Sequence, residues 1–132
     1  MILGTGIDLI KVSRVKKALD RYGEVFIKKI FSENELKKNS NKSLMASKLA
    51  KSFAAKEAFV KALGTGFTKN IYFKDISLRN EKSGKPSINL SKRVKQHLKR
   101  ITPNGYEAII NISISDEKEY VISNVIISLK KK

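Results

Sequence analysis

Phe53-Ala54-Ala55-Lys56-Glu57-Ala58-Phe59-Val60-Lys61-Ala62-Leu63-Gly64-Thr65-Gly66 closes the longest helical pattern in the chain, which runs from about Ser43 to Leu63 and ends at Gly64. At about 100° per residue, Ala46, Leu49, Ala50, Phe53 and Val60 share one apolar stripe. Glu57 falls inside that stripe, one turn after Phe53. A carboxylate in such a place must be compensated. Two readings stand: an i,i+4 ion pair with Lys61, worth about 0.3–0.5 kcal/mol, or a carboxylate held at a partly buried site and facing a cation.

Upstream, Ile2 to Ile10 reads as a strand, with Leu3, Thr5, Ile7 and Leu9 on one face and Ile2, Gly4, Gly6, Asp8 and Ile10 on the other. Asp8 is out of place, because acidic residues are depleted in strands. The glycines beside it leave its flank without bulk, as where a ligand or another backbone comes close. Asp8 is either a solvated residue near the strand end or a hard oxygen ligand at an open cleft. Two carboxylates with phosphate oxygens and water would suit Mg²⁺. Ser13 is placed to cap a helix to about Tyr22, closed by Gly23, and Ser32-Glu33-Asn34-Glu35 is a capping box opening another.

Downstream the period changes. Phe73 to Asn80 and Lys85 to Leu90 read as strands joined by a turn at Glu81 to Gly84, with Pro86 suiting an edge. Ser91 caps a helix to about Arg100, broken by Thr102-Pro103-Asn104-Gly105. Tyr106 to Ser115 and Glu119 to Leu129 read as an antiparallel hairpin. The fold class is α+β: an antiparallel sheet packed with the long helix and shorter helices.

The chain has 132 residues, enough for one domain over 1–132, and 41% of them are hydrophobic, too many for a disordered basic tail. With no Cys, thiol chemistry and Cys-ligated metals are excluded, and the lone His97, in a basic helix, reads as a solvated surface residue. No apolar run approaches a membrane span, and the N-terminus lacks a secretory signal pattern, so an intracellular, cytoplasmic protein is expected. The net charge of +16 points to an acidic partner. A small nucleic-acid-binding protein is the alternative this charge favours, but no zinc finger, RNP-like strand or aromatic stacking platform accompanies it. Gly64-Thr65-Gly66 is not a P-loop. Its glycines end the helix, and they also leave room for a phosphate beside Lys61.

Together these segments resemble the holo-[acyl-carrier-protein] synthases, the small bacterial 4′-phosphopantetheinyl transferases. The likeness rests on Gly4-Thr5-Gly6-Ile7-Asp8, on Phe53 to Gly66, and on Ile112-Ser113-Ile114-Ser115-Asp116 at the last hairpin. The resemblance implies transfer of 4′-phosphopantetheine from coenzyme A to a serine of apo acyl carrier protein, with release of adenosine 3′,5′-bisphosphate. It implies Mg²⁺ on Asp8 and Glu57, and Lys61 on the coenzyme A phosphates. Lys61, Gly64, Gly66 and Ser115 are then cofactor-binding candidates, and Glu57 or a metal-bound water takes the serine proton. It also implies a homotrimer with interfacial sites, no membrane or nucleic-acid partner, and a carrier-docking strip that includes Arg14 and Arg21. Two positions depart from the family: Ser52 stands where it usually has Arg, with Lys51 or Lys48 as substitutes, and Asp116 stands where many members have His.

Overall fold

The computed structural model describes residues 1–39, 41, 44–68 and 70–132. Strand β1 (Ile2–Lys11) runs straight into helix α1 (Val12–Tyr22), followed by α2 (Glu24–Ile30), α3 (Glu33–Lys38) and the long α4 (Met45–Leu63). A 3-10 turn (Phe73–Asp75) leads to β2 (Ile76–Asn80) and β3 (Pro86–Leu90); α5 (Lys92–Ile101), β4 (Tyr106–Asp116) and β5 (Tyr120–Lys131) complete the chain. The class is α+β, as the sequence reading has it.

The antiparallel strands form two sheets. One has the order β1-β5-β4, so the first strand pairs with the last; the other is the β2–β3 hairpin. In the β1–β5 ladder Gly6 lies opposite Val125, and Asp8 lies opposite Ser123.

Several local expectations need correction. Ser13 does not cap α1. It lies inside the helix, whose N-cap is Lys11 with no side-chain cap. The sheet does that work instead, because the Val12 N–H donates to the Glu119 carbonyl at 2.8 Å. The sequence reading had no helix between Gly23 and Phe31, where the seven-residue α2 sits. Phe73 does not begin a strand. The Asp75 carboxylate accepts from the Tyr72 N–H at 2.9 Å and closes a 3-10 turn, which delays β2 to Ile76. The expected helix start at Ser43 lies outside the described residues. The Ser32 capping box and the Ser91 cap are both present.

Helix α4 is the axis of the fold. Its burial is not confined to one stripe: Leu49, Ala50, Ala54, Ala55, Ala58, Phe59 and Val60 are all 0% exposed. On one side it packs with Ile76, Val94, Val125 and Ile127; on the other with Val15, Ile27, Phe31 and Val121. Alanine suits a helix enclosed this way, since it favours the helix and takes little space. Phe53 and Glu57 are left half-buried at its margin. No helix among the described residues is long and apolar enough to cross a membrane.

Gly4 and Gly6 face α4. A Cβ on Gly4 would lie 1.9 Å from the Ala62 carbonyl oxygen, and one on Gly6 would lie 1.9 Å from that of Ala58. The space beside these glycines is therefore taken by a helix backbone, not left open for a ligand. The opposite face of the sheet is exposed and mixed, with apolar side chains among polar ones such as Thr5, Ser113 and Asn124: Ile7 is 57% exposed, Leu9 63%, Ile109 37% and Ile122 37%. Leu9 and Ile122 are direct cross-strand partners there.

Candidate active site

The glycine contacts set the site. Moving from Gly4 to Gly6 along β1 moves the contact from Ala62 back to Ala58, so strand and helix run in opposite directions. The next inward residue, Asp8, therefore arrives beside the turn that carries Glu57 and Lys61. The Lys61 ammonium donates to the Ile7 carbonyl at 2.9 Å and to Asp8 Oδ1 at 3.2 Å. It turns to Asp8 rather than closing an ion pair with Glu57. Asp8 Oδ2 is buried and has no hydrogen-bond partner.

A cleft of about 350 Å³ is lined by Asp8, Arg14, Phe26, Phe53, Glu57 and Lys61, among others. Burial pushes the Asp8 carboxyl above its usual range, and Lys61 opposes this. Burial also raises Glu57, the negative charge of Asp8 raises it further, and Lys61 opposes. Two half-buried carboxylates that repel one another, one with an orphaned oxygen, form a hard-oxygen donor set suited to a divalent cation. No group of three or more His, Cys, Asp or Glu side chains able to hold a metal ion stands among the described residues, in this cleft or outside it, so the two carboxylates are the whole protein donor set here.

The other sequence candidates scatter around this cleft. Arg14 lines it. Arg21 does not; its guanidinium stacks 5.4 Å from the Tyr22 ring centroid. Gly64 and Gly66, with φ of 83° and 60°, shape the end of α4, where the Val60 carbonyl accepts from the N–H groups of Gly64, Thr65 and Gly66. Neither glycine has an atom within 4 Å of where a Cβ would stand. Ser115 is exposed at the far end of β4. In one chain, none of these last three lines the cleft. Lys51, offered as a substitute for the family's Arg, pairs with Asp116 at 3.4 Å, whereas Ser52 itself is buried. His97 is half-buried rather than fully solvated.

Sequence reasoning missed a buried polar network directly behind the cleft. Lys56 is 0% exposed and donates to the Ile30 carbonyl and, at 2.6 Å, to Glu35 Oε1. Glu35 also accepts from the Ser32 N–H at 3.0 Å and from the Ser52 hydroxyl at 2.6 Å. Burial pulls the Lys56 ammonium below its usual range, and Glu35 opposes this. The signal is in the sequence: Phe53, Phe59 and Val60 share the helix face of Lys56, with Ser52 as the one polar neighbour there, and Glu35 stands in the capping box of the next helix upstream. Ser123, opposite Asp8, was also missed; it is 0% exposed, and its hydroxyl has no partner.

Residues 4–124 match the profile of the 4′-phosphopantetheinyl transferase superfamily, and the chain belongs to that family. The holo-[acyl-carrier-protein] synthase of Parvibaculum lavamentivorans is 42% identical over 132 residues, covering 100% of this chain and 99% of the relative. The crystal structure of holo-[acyl-carrier-protein] synthase from Neisseria meningitidis superposes with a TM-score of 0.88 at 30% identity, covering 97% of this chain and 99% of that one. A Bacillus anthracis holo-(acyl-carrier-protein) synthase, solved in complex with CoA (3′,5′-ADP), gives a TM-score of 0.76 at 37% identity, with 96% of each chain covered. Within the superfamily, the enzyme type is accordingly holo-[acyl-carrier-protein] synthase.

Proposed function

We propose that the protein moves 4′-phosphopantetheine from coenzyme A to a serine of apo acyl carrier protein in a Mg²⁺-dependent reaction that releases adenosine 3′,5′-bisphosphate. The observation that carries this reading is the Asp8–Glu57 carboxylate pair beside Lys61 in one cleft, with Asp8 Oδ2 orphaned. The relative solved with CoA (3′,5′-ADP) supports the same substrate here.

Asp8 and Glu57 would hold the Mg²⁺. Bound there, the ion would supply charge neutralisation to the diphosphate of coenzyme A. The serine oxygen forms a bond to the phosphorus that carries pantetheine, and the bond from that phosphorus to the departing nucleotide phosphate breaks. The serine proton passes to a Glu57 carboxylate oxygen or to a water at the Asp8–Glu57 site. The Lys61 ammonium lies within reach of the same cleft and offsets charge on the departing phosphate. No covalent enzyme intermediate is required, in keeping with a chain that has no Cys and one His.

Gly64, Gly66 and Ser115 remain the proposed contacts for the rest of coenzyme A. Because they do not line the cleft of their own chain, an assembled site draws on more than one subunit. The exposed Ile7, Leu9, Ile109 and Ile122 are the apolar side chains of an outer sheet face that serves as the homotrimer interface in this reading. Arg14 and Arg21 on α1 are the proposed anchors for an acidic carrier. The chain is read as one domain working in the cytoplasm. Intact-mass analysis of apo carrier protein incubated with coenzyme A, Mg²⁺ and the protein tests the reading. A gain of one phosphopantetheine, abolished by EDTA and by Glu57→Ala, is expected; an unmodified carrier overturns it.

A further inference from the structure

We propose that Lys56 is a positioning residue: by tying the C-terminal carbonyl of α2 to the middle of α4, it sets the distance between the α1–α2 wall of the active cleft and Glu57. The cleft has two halves. On one side Asp8 and Glu57 are held by the glycine contacts between β1 and α4. On the other stand Arg14 on α1 and Phe26 on α2, which carry no such contact. Ile30 is the last residue of α2, and its carbonyl is among those that a helix leaves without an internal partner. The Lys56 ammonium takes up that carbonyl, adding a cation where the helix dipole favours one.

The tether is itself braced. Glu35 Oε1 accepts from Lys56, and Oε2 accepts from the Ser52 hydroxyl one turn earlier on α4. The Glu35 carboxylate also closes the capping box of α3 through the Ser32 N–H, and the Ser32 hydroxyl accepts from the Ser77 hydroxyl of β2 at 2.6 Å. One fully buried ammonium thus joins α2, α3 and α4 and, through Ser32, β2. Neither Lys56 nor Glu35 lines the catalytic cleft. A purely apolar contact could fill the same volume, but it would not fix the separation of α2 from α4 so closely, because hydrogen bonds weaken steeply with distance and angle.

This inference rests on the transferase reading, and its test separates the two. The paired variant Glu35→Gln/Lys56→Met keeps the capping box and the volume while removing both charges and the tether. Four quantities are measured: the thermal midpoint, Mn²⁺ affinity by calorimetry, kcat, and the carrier KM. The expected result is a midpoint within a few degrees of wild type, Mn²⁺ affinity and carrier KM within twofold, and kcat reduced about tenfold or more. A kcat within twofold of wild type overturns the assignment. So does an equal loss of Mn²⁺ affinity, which would place the damage on the Asp8–Glu57 side. If the paired variant does not fold, Ser52→Ala is measured well below its thermal midpoint; a several-fold lower kcat at unchanged KM supports the tether, and an unchanged kcat overturns it. Wild-type protein that modifies no carrier sinks the transferase reading alone. An active wild type beside an equally active paired variant sinks the Lys56 assignment alone.

Discussion

Gly6 lies so close to α4 that a Cβ on it would come within 1.9 Å of the Ala58 carbonyl oxygen and 2.6 Å of the Ala62 nitrogen. Backbone cannot move aside as a flexible side chain can, so Gly6→Ala has to push β1 away from the helix. The expected loss is about 3 kcal/mol, at the upper end for overpacking, read from urea unfolding. Asp8 moves with the strand, so divalent-ion affinity falls as well. A Gly6→Ala protein with wild-type stability would show that strand and helix are not in this contact.

The carboxylates of the cleft weaken the metal-free protein. Both Asp8 and Glu57 hold their protons more tightly folded than unfolded, chiefly because of burial. The ionised forms therefore oppose folding. That penalty is absent below the unfolded pKa and complete once the pH has passed the folded one. Asp8→Asn in EDTA is expected to melt higher than wild type at pH 7.5, and the gain is expected to vanish by about pH 4. The same change should lower transfer about 10²-fold or more. A lower midpoint for Asp8→Asn at pH 7.5 would contradict this account.

Arg14 lines the cleft of Asp8 and Glu57, and Arg21 does not. Charge reversal at Arg21 should act mainly on carrier association and its salt dependence, raising KM with kcat retained. Arg14→Glu should lower kcat as well, because a carboxylate would stand beside Asp8 and Glu57. Steady-state kinetics of the two variants at two salt concentrations would distinguish them, and identical kcat values would remove Arg14 from the reacting region.

The apolar side chains of the outer sheet face predict assembly. Ile7 and Leu9 are 57% and 63% exposed, and neither contributes to the core. Ile7→Lys/Leu9→Lys should leave the fold intact and convert the proposed trimer to monomers in light scattering behind size exclusion. Activity should fall with assembly. A variant that stays trimeric would move the interface elsewhere.

Ser123 offers a stability test without a functional motive. Its hydroxyl is buried and unpartnered, and such a group costs stability unless a hydrogen bond is supplied. Ser123→Ala is expected to be neutral or stabilising by up to about 1 kcal/mol in urea unfolding of metal-free protein. A clear destabilisation would reveal a partner for that hydroxyl.

Much of the fold was legible because its signals are local. The β-branched run from Tyr106 to Ser115, the capping box at Ser32 and the glycine after Leu63 each depend on a few neighbouring residues; the last two appear where expected, and the strand runs one residue further, to Asp116. One error fell where a distant partner decides, and another where a local side-chain bond overrides the strand pattern. The Glu119 carbonyl replaces Ser13 as the helix cap, and Asp75 bends the start of a strand into a turn.

The same division holds for the site. Residue type marked Asp8 and Glu57 as out of place, because carboxylates in a strand and on an apolar helix stripe conflict with their surroundings in any fold, and the family resemblance gave them and Lys61 their expected roles. Sequence could not say what the glycines beside Asp8 accommodate, where the Lys61 ammonium goes, or that Lys56 is sealed inside the protein. Those answers require β1 paired with β5 from the other end of the chain and laid against α4. Burial around most of a helix leaves little periodic trace, and an ion pair such as Lys56–Glu35 exists only once separate helices have packed.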